Sequence, residues 1–364
     1  MMTLQQIKNI LNNKNPQAVE ELAQEAARLT RQNFGRTIGL YSPLYLSNFC
    51  SSHCTYCGFH SQNKIQRIKL GPEQYRQEMQ FIHAEGIRNI LMLTGESYKH
   101  TPLSYLKEAA TIASEYFQGI ALEVHPMETV EYKELFAAGV DGIAVYQETY
   151  DRSRYAQVHL SGYKKDYDFR YDTPRRAAEA GMRQISLGIL LGLSDPVQDA
   201  YALYLHLRAM EKSFPGVEYS VSFPRLRTVK AETLASCDVD DVQFVKIIAL
   251  TRLLFPRVGI NLSTREDPNL RDHLLEIGIT RISAGSNTSV GGYTLLEEKE
   301  QDPQFDIKDE RSAGEIVKML KAKNFDPVFT DWRHIENSLN PIEHTSSAIA
   351  GWKETAHKIP PEGR

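Results

Sequence analysis

Residues 133–149, KELFAAGVDGIAVYQET, contain in order the three features that decide the fold: a helix end, a turn and a strand. Gly139 follows the helical residues and suits a left-handed C-cap, where a side chain would clash. The apolar run over 142–146 predicts a buried parallel strand. It ends in the polar residues 147–149, which the strand would deliver to one edge of a sheet.

The same unit recurs along the chain, with further helix–glycine–strand joints at Gly86, Gly181 and Gly278. The pattern predicts eight strands: Ile38–Leu46, Asn89–Leu93, Ile120–Val124, Gly142–Tyr146, Gln184–Gly188, Val217–Val221, Gly259–Leu262 and Thr280–Ala284. Eight strands that alternate with helices are typical of an α/β fold of the TIM type, a (β/α)8 barrel. An open doubly wound sheet is the alternative, although it gives no reason for eight similar units.

Polar residues follow the carboxyl ends of these predicted strands. They are Thr94-Gly95-Glu96, Glu123 and His125, Gln147-Glu148-Thr149, Ser222 to Arg227 with two arginines, Ser263-Thr264-Arg265-Glu266, and Ser283. In a barrel all of these loops line one mouth, where barrel active sites lie. We therefore expect the scattered motifs to form one site.

The remaining segments are predicted to flank the barrel. The division is an N-terminal helical extension at 1–37, the barrel at 38–290, C-terminal elements packed on the barrel at 291–332, and a polar tail at 333–364. Helical spacing of apolar residues predicts a helix over 16–35. A second helix is expected over 312–323, followed by a short strand over 327–330.

Composition narrows the function classes. The chain has 364 residues and a formal net charge of −4, with basic residues scattered rather than clustered. This pattern disfavours nucleic acid and membrane surfaces as partners. The N-terminus lacks the apolar core and cleavage pattern of a secretory signal, and no apolar stretch is long enough to span a bilayer. We expect a cytoplasmic location.

Three of the four cysteines lie close together, at Cys50, Cys54 and Cys57, and Cys237 stands apart. A disulfide framework would spread its cysteines along the chain, so the cluster of thiols indicates metal. Three thiolates on a short loop can bind three irons of a 4Fe–4S cluster. The fourth iron would then be open to S-adenosylmethionine (SAM), with Tyr56 beside its adenine. A zinc site completed by His53 or His60 is the alternative.

The CxxxCxxC loop resembles the signature of the radical SAM superfamily. Other stretches are similar to the aromatic amino-acid lyases of that superfamily: Pro43 to Asn48, Tyr56 to Phe59, Leu93 to Glu96, Tyr146 to Tyr150, Tyr219 to Arg227, and Ser263 to Glu266. The resemblance runs from about Tyr41 to Trp332, which is most of the chain.

The resemblance implies a reaction. A 5′-deoxyadenosyl radical made from SAM abstracts hydrogen from L-tyrosine, whose Cα–Cβ bond then breaks to give 2-iminoacetate (dehydroglycine) and p-cresol. The iminoacetate serves the thiazole of thiamine. Thiazole synthase (ThiG) is therefore the implied protein partner, and a flavodoxin or ferredoxin is the implied reductant.

The resemblance also implies roles for individual residues. Cys50, Cys54 and Cys57 bind the cluster. The residues assigned to SAM are Tyr56, Thr94, Gly95, Glu96, Glu148 and Arg170. Arg265 and Ser283 are assigned to the carboxylate of the substrate, since a planar guanidinium fixes a carboxylate through two parallel hydrogen bonds. Arg225, Arg227 and Arg265 could equally be structural residues that tie barrel loops together, and His125 and His159 could be core or rim histidines rather than acid–base groups.

Other functions remain open at this stage. A tyrosine lyase that matures iron-only hydrogenase carries more cysteines for a second cluster, and none follows Cys237 here. A lyase for tryptophan or another aromatic amino acid, and a tyrosine-using enzyme of deazaflavin synthesis, fit the same motifs. A zinc-stabilised binding protein would be an alternative of a different class.

Overall fold

The computed structural model describes residues 2–226, 237–295 and 304–329. Its strands are β1 (Thr37–Ser47), β2 (His53–Cys54), β3 (Asn89–Thr94), β4 (Gly119–Glu123), β5 (Gly142–Glu148), β6 (His159–Ser161), β7 (Gln184–Ile189), β8 (Glu218–Ser222), β9 (Gly259–Leu262), β10 (Arg281–Ser283) and β11 (Asp326–Val328). Its helices are α1 (Leu4–Leu11), α2 (Pro16–Phe34), α3 (Pro72–Ala84), α4 (Leu103–Ala113), α5 (Thr129–Ala137), α6 (Arg152–Val158), α7 (Tyr167–Tyr171), α8 (Thr173–Glu179), α9 (Pro196–Ser213), α10 (Asp241–Leu254), α11 (Pro268–Ile277) and α12 (Ala313–Ala322), with a 3-10 turn at Tyr163–Lys165.

Eight parallel strands close into a barrel. The order is β1, β3, β4, β5, β7, β8, β9 and β10, and β10 pairs back onto β1 with Gly39 opposite Arg281. Following the pairings once around from Tyr45 returns to β1 at Thr37, eight residues earlier in the strand. A stagger of eight is the shear of a TIM barrel. The predicted (β/α)8 barrel is confirmed, with all eight predicted strands in it.

The glycine joints hold the helices against the barrel in two different ways. Gly86, Gly139 and Gly181 have φ of 90°, 102° and 96°, the left-handed conformation expected of a glycine C-cap. The same prediction for Gly278 is wrong, because its backbone is extended at φ −161°. A side chain there would lie 2.9 Å from Ile248 Cγ2, so close packing on α10 requires this glycine.

The N-terminal extension contains two helices, of which the sequence pattern predicts only the second. Thr3 and Gln6 form a capping box that starts α1, and this pair was the signal available in the sequence. Ile7 and Leu11 are buried against the barrel helices. Lys246 of α10 donates hydrogen bonds to main-chain carbonyls at the end of α1, so the extension is fixed to the barrel.

The C-terminal elements pack beside the first strand. Helix α12 agrees with the predicted helix, and β11 adds to β1 in parallel, with Thr37 opposite Asp326. Arg271 forms a buried ion pair with Asp309 and donates to Ser283 O at 2.6 Å, which ties this region to the barrel mouth. Arg227, Thr330 and the predicted tail at 333–364 lie outside the described residues. Within the described ranges, no helix combines the length and apolarity needed to cross a membrane.

Candidate active site

The loop that carries the three clustered cysteines covers the carboxyl end of the barrel. Cys54 lies in β2, which pairs antiparallel with β6, and Thr55 N–H donates to Val158 O at 3.0 Å. Ser51 donates from its amide and its hydroxyl to Glu96 O, at 2.9 and 2.7 Å. The loop is therefore fixed both to the end of β3 and to the segment that follows α6.

The three thiols of this loop are free and close enough to affect one another. Burial raises the pKa of all three; for Cys50 it reaches about 11, with Glu96 contributing. Buried thiolates need positive charge nearby, which a metal supplies as it displaces their protons. Among the residues that the structure describes, no three His, Cys, Asp or Glu side chains converge on one metal position. Zinc needs such convergence, whereas a cubane cluster takes each thiolate at a different iron.

Gly95 lets the cysteine loop approach the barrel closely. A Cβ on this residue would lie 2.4 Å from Phe49 O and 3.0 Å from Cys50 Cβ, distances that no side chain tolerates. Its amide donates to Ser47 O at 2.9 Å, which holds the turn after β3. Thr94 precedes it with a buried hydroxyl that has no hydrogen-bond partner among the described residues.

Glu96 and Arg170 form a buried ion pair at this turn. Arg170 Nη1 lies 2.6 Å from Glu96 Oε1, and the two side chains are 6% and 10% exposed. Arg170 Nε also donates to Tyr146 O at 2.7 Å. Glu96 Oε2 is buried and has no partner in the described part of the chain. One carboxylate oxygen is thus held by the protein and the other is left for a ligand.

Glu148, the last residue of β5, forms a second buried pair. Its carboxylate lies 2.6 Å from Lys164 Nζ, and both side chains are nearly buried. Burial alone would raise the pKa of Glu148, but Lys164 and Arg170 outweigh it and hold the pKa below its usual value. Glu148 also has φ 69°, which is uncommon for a non-glycine residue and concentrates at functional sites.

Tyr56 is oriented by a histidine outside the cysteine loop. Its hydroxyl lies 2.8 Å from His159 Nε2, and His159 Nδ1 lies 2.9 Å from Tyr155 O. Burial lowers the pKa of His159 to about 2, so the imidazole is neutral. It therefore donates to the carbonyl and accepts from the phenol, which is the role of a core histidine.

A cavity opens below the cysteine loop and extends into the barrel. Of the residues predicted from the sequence, it is lined by Tyr56, Cys57, Glu148, Arg265 and Ser283. The others, Cys50, Cys54, Thr94, Gly95, Glu96 and Arg170, lie in the layer beside it. The predicted residues thus fall into one site with two layers, as expected for loops that share a barrel mouth.

Arg265 and Ser283 lie on neighbouring parts of the cavity wall. The Arg265 guanidinium stacks on Phe305, with 3.4 Å from Cζ to the ring centroid, and it has no ion pair among the described residues. Burial lowers the pKa of Arg265, although the group remains far too basic to lose its proton. Ser283 ends β10 and is buried. An unpaired cation in a cavity is a ready partner for a carboxylate.

Arg225 is a structural arginine, although its sequence position is similar to that of Arg265. It forms a buried ion pair with Glu266 and a second ion pair with the exposed Asp241, and it lies outside the cavity lining. His125 is fully buried against the ring of Tyr98, and burial lowers its pKa to about 4. Neither residue lines the cavity.

Comparisons with known proteins agree with this geometry. The Radical SAM superfamily profile matches residues 44–207, and the Biotin and Thiamin Synthesis associated domain matches 222–326. The chain is 40% identical over 315 residues to the 2-iminoacetate synthases of Salmonella typhimurium and of Escherichia coli K12, covering 86% of this chain and 83% of each relative. The chain belongs to the 2-iminoacetate synthase family.

A solved structure of a related protein has the same fold. The FeFe-hydrogenase maturase HydG from Carboxydothermus hydrogenoformans superposes with a TM-score of 0.84 and 32% identity, over 92% of this chain and 77% of that chain. The 2-iminoacetate synthase family consists of radical SAM lyases that use a 4Fe–4S cluster and SAM. The donor set here fits both groups: three thiols on one loop, a glycine cradle at Gly95, and a free Glu96 oxygen for an amine.

Two cavity residues escaped assignment from the sequence. Lys164 was not singled out because it lies in a short 3-10 turn rather than at the end of a barrel strand. Glu123 was noted only as a polar residue at a strand end, without a role. Both are recognisable only in the three-dimensional structure, where each is a partly buried ionisable side chain that lines the cavity.

Proposed function

We propose that the protein cleaves the Cα–Cβ bond of L-tyrosine to 2-iminoacetate (dehydroglycine) and p-cresol, and that the iminoacetate serves the thiazole ring of thiamine. The observation that carries the proposal is the unpaired Arg265 guanidinium in the same cavity as the cluster cysteine Cys57, in a chain of the 2-iminoacetate synthase family. An amino-acid carboxylate is the ligand that this cation lacks.

The upper layer of the site is suited to the cofactors. Cys50, Cys54 and Cys57 hold the cluster, which together with SAM supplies a 5′-deoxyadenosyl radical. The free oxygen of Glu96 accepts hydrogen bonds from the methionyl amine, and Arg170 fixes that carboxylate in place. Buried charged pairs of this kind need no rearrangement when the ligand arrives, so they position it tightly.

Glu148, Lys164 and Tyr56 form the boundary between the two layers. Glu148 and Lys164 together offer an acceptor and a donor for the ribose hydroxyls or the charged groups of SAM. Tyr56, held by His159, gives a ring face for the adenine.

The lower layer is suited to the substrate. Arg265 binds the tyrosine carboxylate, and Ser283 adds a hydroxyl nearby. With the carboxylate held on this wall, the amine and Cα are directed towards Cys57 and the cluster loop. Hydrogen transfer needs near contact of the reacting atoms, so this orientation governs the rate.

Partners follow from the same proposal. The released iminoacetate is consumed by a thiazole synthase, and a flavodoxin or ferredoxin delivers the electron to the cluster. Free cysteines and an oxygen-sensitive cluster suit a reducing compartment, which supports a cytoplasmic location.

The test is anaerobic turnover of the reconstituted protein with SAM, a strong reductant and tyrosine. Chromatography should show p-cresol and 5′-deoxyadenosine, both dependent on tyrosine. If deoxyadenosine forms with tryptophan but not with tyrosine, tryptophan would replace tyrosine as the proposed substrate. If protein with a fully loaded cluster forms neither product, that result would contradict the proposed lyase function.

A further inference from the structure

Glu123 is an unpaired carboxyl group inside the substrate cavity. It is the last residue of β4 and lines the cavity together with Arg265 and Cys57. Glu96 and Glu148 each have a cationic partner at 2.6 Å, whereas Glu123 forms no hydrogen bond or ion pair within the described residues. A partly buried carboxyl that lines a cavity without a partner is costly, and such groups concentrate at binding sites.

The position of Glu123 in the barrel is deeper than that of Arg265. Glu123 belongs to the strand itself and pairs with Leu93, whereas Arg265 lies three residues beyond the end of β9. The one-residue stagger from strand to strand places Glu123 level with Pro43, two residues before Tyr45 on β1. The Glu123 backbone therefore lies lower in the barrel wall than that of Arg265, and its side chain lines the same cavity.

We propose that Glu123 binds the phenol hydroxyl of the substrate and thereby selects tyrosine over phenylalanine. The inference rests on the proposed lyase function and names the group that reads the substrate side chain. The aromatic ring would lie between Leu91, Leu93 and Pro43, which supply the apolar part of the cavity wall at this depth.

The orientation of the substrate favours the phenol over the amine as the partner of Glu123. The reacting end of the amino acid must face Cys57 and the cluster loop at the top of the cavity, and Arg265 holds the carboxylate there. The other polar end of tyrosine is the hydroxyl at the far side of the ring. A carboxyl group located below Arg265 is in place to meet it.

The electrostatics of the cavity are consistent with this contact. Burial and then the neighbouring Glu148 raise the pKa of Glu123 to about 7, while Lys164 and the two arginines Arg265 and Arg170 act in the opposite direction. Near neutral pH the carboxyl thus exchanges between two forms. The neutral form donates to the phenol oxygen and the ionised form accepts from the phenol proton, so the contact persists in both.

The experiment compares tyrosine with phenylalanine on the anaerobic holoprotein loaded with SAM. Equilibrium dialysis gives the Kd of each amino acid, and deoxyadenosine release gives kcat/KM, for wild type, Glu123→Gln and Glu123→Ala. The matched control is Glu211→Gln, which neutralises a half-buried carboxyl on α9 outside the cavity. Iron content and absorbance of the cluster establish that each variant is folded and loaded.

We expect wild type and the control to prefer tyrosine at least 100-fold, because a site built to bind a hydroxyl rejects the analogue that lacks it. Glu123→Ala should reduce the preference for tyrosine to below about 10-fold, mainly by weakening tyrosine binding. The preference of Glu123→Gln should lie between those of wild type and Glu123→Ala. An unchanged preference in Glu123→Ala, or equal losses for both amino acids, would overturn the assignment and place Glu123 at the amine or in a structural role. Failure of wild type to turn over tyrosine would instead count against the lyase itself.

Discussion

The two layers of the site treat charge in opposite ways. Glu96 is paired with Arg170 in the layer beside the cysteine loop, and Glu148 is paired with Lys164 at the boundary between that layer and the cavity, each at 2.6 Å. In the cavity below, Arg265 and Glu123 have no ionic partner among the described residues. In the paired layer each carboxylate has a cation beside it before any ligand binds, whereas the unpaired cavity lacks the charges that an amino acid brings. We propose that the paired charges form the cofactor site and that the unpaired charges bind the substrate.

The largest effect is expected in the layer beside the cysteine loop, when a proposed cluster ligand is removed. Cys54→Ala should leave a folded barrel with an incomplete cluster and no detectable SAM cleavage, because the cluster loses one of its three ligands. The control is Cys237→Ala, which removes an exposed thiol. Iron analysis and deoxyadenosine assays measure the outcome. SAM cleavage retained in Cys54→Ala would remove this thiol from the ligand set.

Two arginines test the difference between paired and unpaired charge directly. Arg225→Ala removes the arginine that pairs with the buried Glu266 and should lower the free energy of unfolding by about 3–5 kcal/mol. Arg265→Ala removes an unpaired cation and should weaken tyrosine binding by about 100-fold, which corresponds to about 3 kcal/mol, with SAM binding unchanged. Denaturant unfolding measures the effect of Arg225→Ala, and equilibrium dialysis measures the effect of Arg265→Ala. Equal tyrosine affinity in Arg265→Ala and wild type would remove Arg265 from the substrate site.

The unpaired carboxyl predicts a pH dependence of stability. Folded protein keeps the Glu123 proton up to about pH 7, whereas the unfolded chain loses it near the ordinary glutamate pKa of 4.5. The folded state therefore holds more protons in this window, and its stability falls as pH rises from about 4.5 to 7, by up to about 3 kcal/mol. Asp199, whose pKa burial raises to about 7, acts in the same direction.

Glu123→Gln isolates this contribution, because Asp199 is present in both proteins. Both proteins are measured in the metal-free form. Between pH 5 and 7.5, the free energy of unfolding of the variant should fall less steeply than that of wild type. Glu21→Gln, on the exposed face of α2, is the control and should follow wild type. Parallel curves for wild type and Glu123→Gln would show that the Glu123 carboxyl is ionised in the free protein.

The smallest effect concerns the boundary between the layers. His159→Phe keeps a ring in the core but removes the acceptor for the Tyr56 hydroxyl. The loss of one hydrogen bond, about 1 kcal/mol, should weaken SAM binding by about fivefold at unchanged iron content. Tyr56→Phe and the double variant with both changes complete a double-mutant cycle. Additive effects of the two changes would show that His159 does not act through Tyr56.

Several elements were predictable from the sequence because they depend on neighbours along the chain. The joints at Gly139 and Gly181 and the eight apolar runs gave the barrel, since a strand period and a helix cap are local features. The spacing of Cys50, Cys54 and Cys57 indicated the cluster for the same reason. Helix α1 escaped because it is short, although its capping residues Thr3 and Gln6 are local as well.

The charge pairing of the site was decided only by the tertiary structure. Arg225 and Arg265 follow neighbouring strands with similar motifs, yet one is neutralised by Glu266 and the other stacks unpaired on Phe305. Glu123 and Glu148 both end strands, yet only Glu148 meets a lysine, and that lysine comes from a turn outside the barrel. The sequence determined which residues reach the mouth of the barrel. The fold determined which of them are paired, because desolvation and Coulomb attraction depend on distances between residues far apart in the chain.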